Sequence, residues 1–131
     1  MGATLVTNAG KKLALNRTWK ATPDYTAPTV FKIGTDSTAP AVTDTDLGTA
    51  VNINGSDTKV FVTSYPVLDE TNHQVTIRCI ANSTEANGDT LVEFGLANTD
   101  GTELLYSHST HTAVSKTSSI EVVYVQKDKL V

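Results

Sequence analysis

The sequence is poor in cysteine, in clustered positive charge and in long apolar runs. Its one cysteine cannot form an internal disulfide, which fits a chain that folds in a reducing compartment. Its ten Lys and Arg residues are scattered and the net charge is −4, so the basic patch typical of a nucleic-acid-binding protein is missing. No apolar run approaches the ~18 residues of a membrane span, and the N-terminus does not resemble a signal peptide. We therefore expect neither nucleic acid nor a membrane as a partner.

The chain is rich in residues that favour extended structure. Threonine is its commonest residue and valine is also frequent, and both are β-branched and suit a pleated sheet. A length of 131 residues and a hydrophobic share of 39% predict one domain with one core, which we take to span residues 1–131.

The N-terminal segment predicts a short helix over residues 4–15. Its apolar residues recur at helical spacing, Thr4 can cap its start and Asn16 can end it. A helix of this length is not stable alone in water, so it must pack against the rest of the chain. We expect Trp19 to help dock it, which makes residues 1–19 an N-terminal helical arm.

The remainder of the chain predicts β-strands. Apolar and polar residues alternate with the period of two that is typical of strands with one buried face. Turn signals lie at Asn54-Gly55, Asn87-Gly88 and Asp100-Gly101. The pattern predicts a mainly β fold, an antiparallel β-sandwich or jelly roll with one short N-terminal helix. The predicted strands cover 29–33, 60–65, 75–80, 92–96, 104–108 and 120–126.

Several residues could carry chemistry, and each has a structural explanation. Cys79 alternates with Val75 and Ile77, so its side chain should face the core. His108 and His111 are three apart on a strand, so their imidazoles should diverge and not share a metal. We expect both at exposed polar positions near a strand end. Residues 98–103 resemble part of a calcium loop but are too short for it, and a hairpin explains them.

Carboxylates are plentiful but do not form a recognisable catalytic motif. We expect them in loops or on solvent-exposed strand faces, and they are Asp44, Asp46, Asp69, Glu70, Asp89 and Glu93. The chain has no G-x-S-x-G nucleophile elbow and no phosphate-binding glycine motif. The sequence therefore predicts no catalytic, cofactor-binding or metal-binding residues, no cofactor and no enzymatic activity.

Three segments, in order, resemble a family of tailed-bacteriophage virion proteins. Leu5 to Leu13 is similar to the family's opening "L-x-T-N-A-G-(R/K)" helix. Ile33 to Leu47 resembles "IGTG-x-T-AP-x-x-x-D-T-x-L", and Val92 to Leu105 resembles "E-(F/A)-G-L-F-N-x-x-G-x-L-x-x-R". Lys116 and the strand from Ile120 to Gln126 complete the set.

The resemblance implies a small β-sandwich protein of the virus particle, assembled in the host cytoplasm. It implies most directly a capsid decoration (cement) protein that binds the major capsid protein and other copies of itself, as a trimer. The alternative is a tail-fibre or baseplate component that binds tail proteins and serves adhesion. Because the chain ends directly after its last predicted strand, we expect a freestanding module.

The predicted contacts with other subunits lie in the arm 1–19 and in the long loop 34–54. A loop of this length is often functional or is ordered by a partner, and we expect a neighbouring subunit to order it. A third possibility, from another class, is a carbohydrate-binding module that uses an exposed aromatic residue such as Tyr65.

Overall fold

The computed structural model describes residues 4–99, 101 and 103–130. Within these residues it contains eight strands and one helix. The elements are β1 (Thr4–Val6), α1 (Asn8–Trp19), β2 (Val30–Gly34), β3 (Lys59–Val60), β4 (Val67–Asp69), β5 (Gln74–Ala81), β6 (Thr90–Ala97), β7 (Leu105–Ser115) and β8 (Val122–Lys129). In this part of the chain, α1 is too short to span a membrane and no longer apolar helix is present.

The strands form two antiparallel sheets that pack face to face. The large sheet has the order β1-β7-β6-β2-β3, and the small sheet has the order β4-β5-β8. Phe94 of the large sheet stacks on Tyr124 of the small sheet, with ring centroids 4.4 Å apart. The surrounding core takes residues from both sheets, among them Phe31, Ile77 and Cys79. The predicted mainly β fold with two packed sheets is confirmed, while jelly-roll connectivity stays a prediction.

The short N-terminal helix is confirmed, but its predicted bounds are wrong. Residues 4–6 pair with β7 as a strand, and the helix caps on Thr7, whose Oγ1 accepts the N–H of Gly10 at 3.0 Å. The helix can lie against β7 because Gly10 has no Cβ; an added one would collide with the Tyr106 carbonyl oxygen. Trp19 is the last helical residue and is 82% exposed, so it does not dock the helix.

The strand predictions hold for the long strands and fail for the shortest. Strands β2, β5, β6, β7 and β8 each include or overlap a predicted strand. The predicted strand 60–65 is reduced to Lys59–Val60, since the chain turns at Ser64 with a φ of 76°. Gly55 and Gly88 have the positive φ that their turns require, at 78° and 92°. The turn predicted at Asp100-Gly101 and the segment 98–103 include Asp100 and Thr102, which lie outside the described residues.

Candidate functional site

The outer face of the large sheet, on the side away from the small sheet, carries three buried charged or titratable side chains. Lys32, Gly95 and His108 lie side by side on adjacent strands β2, β6 and β7. Their neighbours along the strands, Phe31 and Phe94, point to the core between the sheets, so these three point the opposite way. Glu93 lies on this same outer face, opposite Gly34. We call this surface, with the segment 35–53 that lies over it, the covered face.

Glu93 holds the overlying segment through its carboxylate. The residue is fully buried, and its two oxygens accept the backbone N–H groups of Asp36, Gly48 and Thr49 at 3.0, 2.9 and 2.8 Å. A carboxylate accepts such bonds strongly because it is ionised. The prediction that Glu93 lies in a loop or faces solvent is therefore wrong, since the segment 35–53 excludes water from this side of the sheet.

His108 links the same carboxylate to a second one. Its Nε2 lies 2.9 Å from Glu93 Oε1 and its Nδ1 lies 2.7 Å from Asp44 Oδ2. Both contacts are hydrogen bonds when both ring nitrogens carry a proton. Burial raises the pKa of Asp44, but the N–H of Ala41 and the imidazole of His108 outweigh burial and lower it. His108 is 4% exposed, so the expectation that it is an exposed polar residue near a strand end is wrong.

His111 lies apart from this cluster, as its strand position predicts. Its Nε2 lies 2.9 Å from the hydroxyl of Tyr124 on the small sheet, and its ring packs edge-on against that tyrosine. The predicted divergence of the two imidazoles is therefore confirmed.

Lys32 forms the second charged centre of the covered face. Its ammonium group contacts Asp46 at 2.7 Å, Asp57 at 3.0 Å and Glu103 at 2.8 Å, although its side chain is only 2% exposed. Burial alone would lower the pKa of Lys32, but the three carboxylates more than compensate and raise it. Lys32 therefore ties two separate loops to the middle of the sheet.

An apolar contact completes the covered face between these two centres. Leu47 is 6% exposed and lies over Gly95, where an added Cβ would approach Leu47 Cδ2 to 2.9 Å. Further along the segment, Val51 and Ile53 are buried in the core between the sheets. The backbone N–H groups of Thr35 and Val51 bond to the carbonyls of Thr49 and Ile33. The loop 34–54 is thus fixed by its own chain, and the expectation that a neighbouring subunit is needed to order it is wrong.

The covered face is built to hold a loop and offers a substrate little access. The polar atoms of Glu93, His108 and Lys32 are occupied by protein partners. No group of three or more His, Cys, Asp or Glu residues within the described ranges is arranged to hold a metal ion. Cys79 lies in the core as predicted, fully buried, and burial raises the pKa of its thiol to about 12. The thiol is therefore protonated and a poor nucleophile.

Sequence reasoning missed the covered face, although it left a signal. Alternation correctly placed Glu93 away from the core, but a period of two does not show whether the second face meets water. The signal lies in Gly34 and Gly95, which stand on that face where a side chain would collide with neighbouring atoms. Leu47, an apolar residue in an otherwise polar loop, is the matching signal.

An open concave surface lies elsewhere, between α1 and one end of the small sheet. This groove of about 1030 Å³ has Ala14 and Thr18 on one wall, and Leu68 and Leu130 on the other. Leu68 is 67% and Leu130 is 82% exposed. We call this surface the helix groove. Its wide opening and apolar walls suit the side chains of another protein better than a small enclosed ligand.

Two exposed apolar residues extend this surface along α1. Leu15 is 62% exposed and Trp19 is 82% exposed. They are four residues apart and so lie next to each other on one helix face. Each directly follows a groove residue, Ala14 or Thr18, so this strip lies beside the helix groove.

Tyr65 does not offer the platform that a carbohydrate-binding module would require. It is half-buried and packs against the core of the sandwich. The most exposed aromatic side chain among the described residues is that of Trp19.

The chain was compared with known proteins at three levels. No protein-family model, curated protein or solved structure matches it. The functional assignment therefore depends on the residues themselves.

Proposed function

We propose that this protein is a structural component of a tailed-phage particle, and specifically a capsid decoration protein that binds the capsid surface and neighbouring copies. One observation carries the proposal: the three separate segments with virion-like motifs contact one another at the large sheet. Thr7 of the first segment donates its hydroxyl to the carbonyl of Leu105 in the third. Asp36 of the second donates its N–H to Glu93 in the third.

This convergence supports a structural role because the motif residues build the framework of the fold. Asn8 of the first segment also donates its N–H to the carbonyl of Val42 in the second, at 2.7 Å. The shared residues are used to join the arm, the loop and the large sheet. Such a pattern suits a rigid module whose surface, and not an enclosed site, carries its function.

The contact with the capsid is proposed to use the strip formed by Leu15 and Trp19 beside the helix groove. An exposed tryptophan is a frequent anchor of protein interfaces, because it buries a large apolar area in one partner pocket. Many weak contacts of this kind, repeated over a lattice, hold a decoration protein firmly. The arm 1–19 thus remains a contact candidate, through the end of its helix.

The location of the protein in the particle tests the proposal. Antibodies against the chain are applied to intact particles of the phage that encodes it, and the particles are imaged by electron microscopy. We expect label over the whole head. Label on the tail alone would support the tail-fibre or baseplate alternative, and label on neither would overturn both.

The contact strip is tested separately with surface variants. Leu15→Ala combined with Trp19→Ala should reduce binding of the purified chain to undecorated heads by at least tenfold, since interface tryptophans often contribute more than 2 kcal/mol. Lys11→Ala, an exposed change on the same helix, is the matched control. Deleting residues 1–19 is a poorer test because Thr7, Gly10 and Leu13 are buried parts of the fold. Unchanged binding of the double variant would exclude this strip as the contact.

The adhesion alternative has one specific observation in its favour, which is the exposed indole of Trp19. Sugar rings stack on such surfaces, so a glycan array distinguishes the two roles. Binding that is lost in Trp19→Ala would support adhesion, and an array without signal would count against it.

A further inference from the structure

The small sheet ends in a long, uncovered edge strand. The order β4-β5-β8 leaves β8 paired on one side only, and β8 runs for eight residues, Val122–Lys129. The other edge strands among the described residues, β1, β3 and β4, have only two or three residues each. An uncovered edge of this length is able to pair with another strand.

The backbone groups on this edge can be assigned from the neighbouring strand. The Arg78 carbonyl accepts the N–H of Val62 at 2.9 Å, on the side of β5 away from β8. In an antiparallel pair, two opposite residues direct their backbone N–H and C=O groups either both toward each other or both away from each other. Arg78 lies opposite Val125 and directs its groups away from β8, so Val125 directs its groups away from β5. The N–H and C=O of Val125 therefore point outwards from the free edge. The same holds, by alternation, for Val123 and Lys127.

The side chains at these alternate positions form a short exposed strip. Val123 is 45% and Val125 is 44% exposed, whereas Tyr124 between them is buried. Lys127 follows on the same face, and Glu121, the exposed residue just before β8, precedes it. Every second residue along the free edge thus belongs to the set Glu121, Val123, Val125 and Lys127, with opposite charges at its two ends.

We propose that two copies of this chain pair along β8, antiparallel and about a two-fold axis at Tyr124, to form a continuous six-stranded sheet. In this register Val123 of one copy lies opposite Val125 of the other, and Glu121 lies opposite Lys127. Because the axis repeats each pair, the contact contains two valine pairs and two opposite-charge pairs. Cross-strand pairs of both kinds stabilise antiparallel sheets.

The number of apolar pairs selects this register over its neighbours. A shift of two residues in one direction places Val123 opposite Lys127 and leaves a single valine pair, Val125 opposite itself. The opposite shift also leaves a single valine pair, Val123 opposite itself, and places Glu121 opposite Val125. Lysine on an edge strand normally opposes pairing, but here the two-fold axis brings each Lys127 to a glutamate and not to another lysine. The proposal concerns the isolated chain in solution, so it does not depend on the proposed role in a virion.

Cysteine pairing tests the register directly. Facing residues of a hydrogen-bonded antiparallel pair have Cα atoms about 5.5 Å apart, which is within the range of a disulfide. A mixture of Val123→Cys and Val125→Cys proteins should therefore form a mixed disulfide under mild oxidation. Each variant alone should form much less, and the buried Cys79 should not interfere.

Two results would overturn the register or the contact. Efficient disulfide formation by Val125→Cys alone would indicate the shifted register, with Val125 opposite itself. A yield of mixed disulfide no greater than that with Thr38→Cys, an exposed control in the segment over the outer face of the large sheet, would exclude β8 as the contact.

Charge reversal tests the contact without cysteine chemistry. Sedimentation equilibrium of the wild-type chain at low salt should show dimers that increase with concentration. Glu121→Lys should weaken dimerisation by roughly tenfold, since it turns two attractive cross-strand pairs into repulsive ones. Adding Lys127→Glu should restore dimerisation, while adding Lys129→Glu should not. A wild-type chain that stays monomeric at all concentrations, or a mass unaffected by Glu121→Lys, would overturn the proposal.

Discussion

The outer faces of the two sheets have opposite relations between polarity and burial. On the large sheet, Lys32, Glu93 and His108 are charged or polar and almost completely buried. On the small sheet, Val123 and Val125 are apolar and nearly half exposed. On both sheets these outward-pointing residues alternate with residues that point to the core. The alternation alone therefore does not determine whether the outer face is buried. The difference lies in the chain segment 35–53, which covers one face and leaves the other open.

The covered face tolerates its charges because each of them has partners. A buried ion without partners is costly, whereas one with several hydrogen bonds is not. Glu93 has three backbone N–H groups and an imidazole, and Lys32 has three carboxylates. Removing one partner should therefore cost much more on this face than on the small sheet.

The largest effect is expected for Glu93→Ala. The change leaves three backbone N–H groups and His108 without their acceptor inside the protein. We expect the free energy of unfolding to fall by about 3–5 kcal/mol, measured by urea denaturation. Glu70→Ala, at an exposed position, is the control and should change stability by less than about 0.5 kcal/mol. If the free energy of unfolding fell by less than about 1 kcal/mol in Glu93→Ala, the Glu93 carboxylate would not hold the overlying segment.

More of the fold than of the covered face could be predicted from the sequence. Alternation predicted the long strands, since the apolar residues of β5 and β6 and Tyr124 of β8 point to a shared core. The position of the helix was misjudged because Thr4 and Thr7 are both possible caps, and only the pairing of Thr4 with Ser109 on β7 decides between them. The covered face depends on contacts such as Asp44 with His108, 64 residues apart, which no local pattern encodes.

A smaller loss is expected for Gly95→Ala, which tests how closely the segment lies on the sheet. The added methyl group would meet Leu47 Cδ2 and Leu105 Cδ1 at 2.9 Å and the Ser107 carbonyl oxygen at 2.8 Å. Overpacking of this kind costs about 1–3 kcal/mol, again measured by denaturation. Gly101→Ala, where nothing lies within 4 Å, provides the matched control. Equal stability of the two variants would mean that Leu47 does not lie over Gly95.

Acid should weaken the covered face through Asp44. Because its pKa is lowered in the folded chain, its contribution to stability is present above the ordinary value of 3.8 and is lost as the pH falls through the folded value. Asp44→Asn should therefore be less stable than the wild type by about 1 kcal/mol at pH 7, and this difference should disappear at low pH. Denaturation from pH 7 down to about 2.5 measures it. A difference that does not vary with pH would refute the role of the carboxylate charge.

The smallest effect is expected on the open face of the small sheet. Val125→Thr keeps the β-branched shape and adds a hydroxyl that reaches water, because the side chain is 44% exposed. The monomer should change in stability by less than about 0.5 kcal/mol, measured at a concentration where it is not associated. A loss comparable to that of Gly95→Ala would show that this face is also covered.

The pairing of β1 with β7 has a consequence for the order in which the chain folds. Thr4 of β1 lies opposite Ser109 of β7, so β1 has no partner until β7 has been synthesised. Closing so long a loop is entropically unfavourable, and sheets dominated by distant pairs fold slowly, in milliseconds to seconds. Until then β1 is free for a chaperone or another newly made copy to capture, and its pairing with β7 must follow the synthesis of β7.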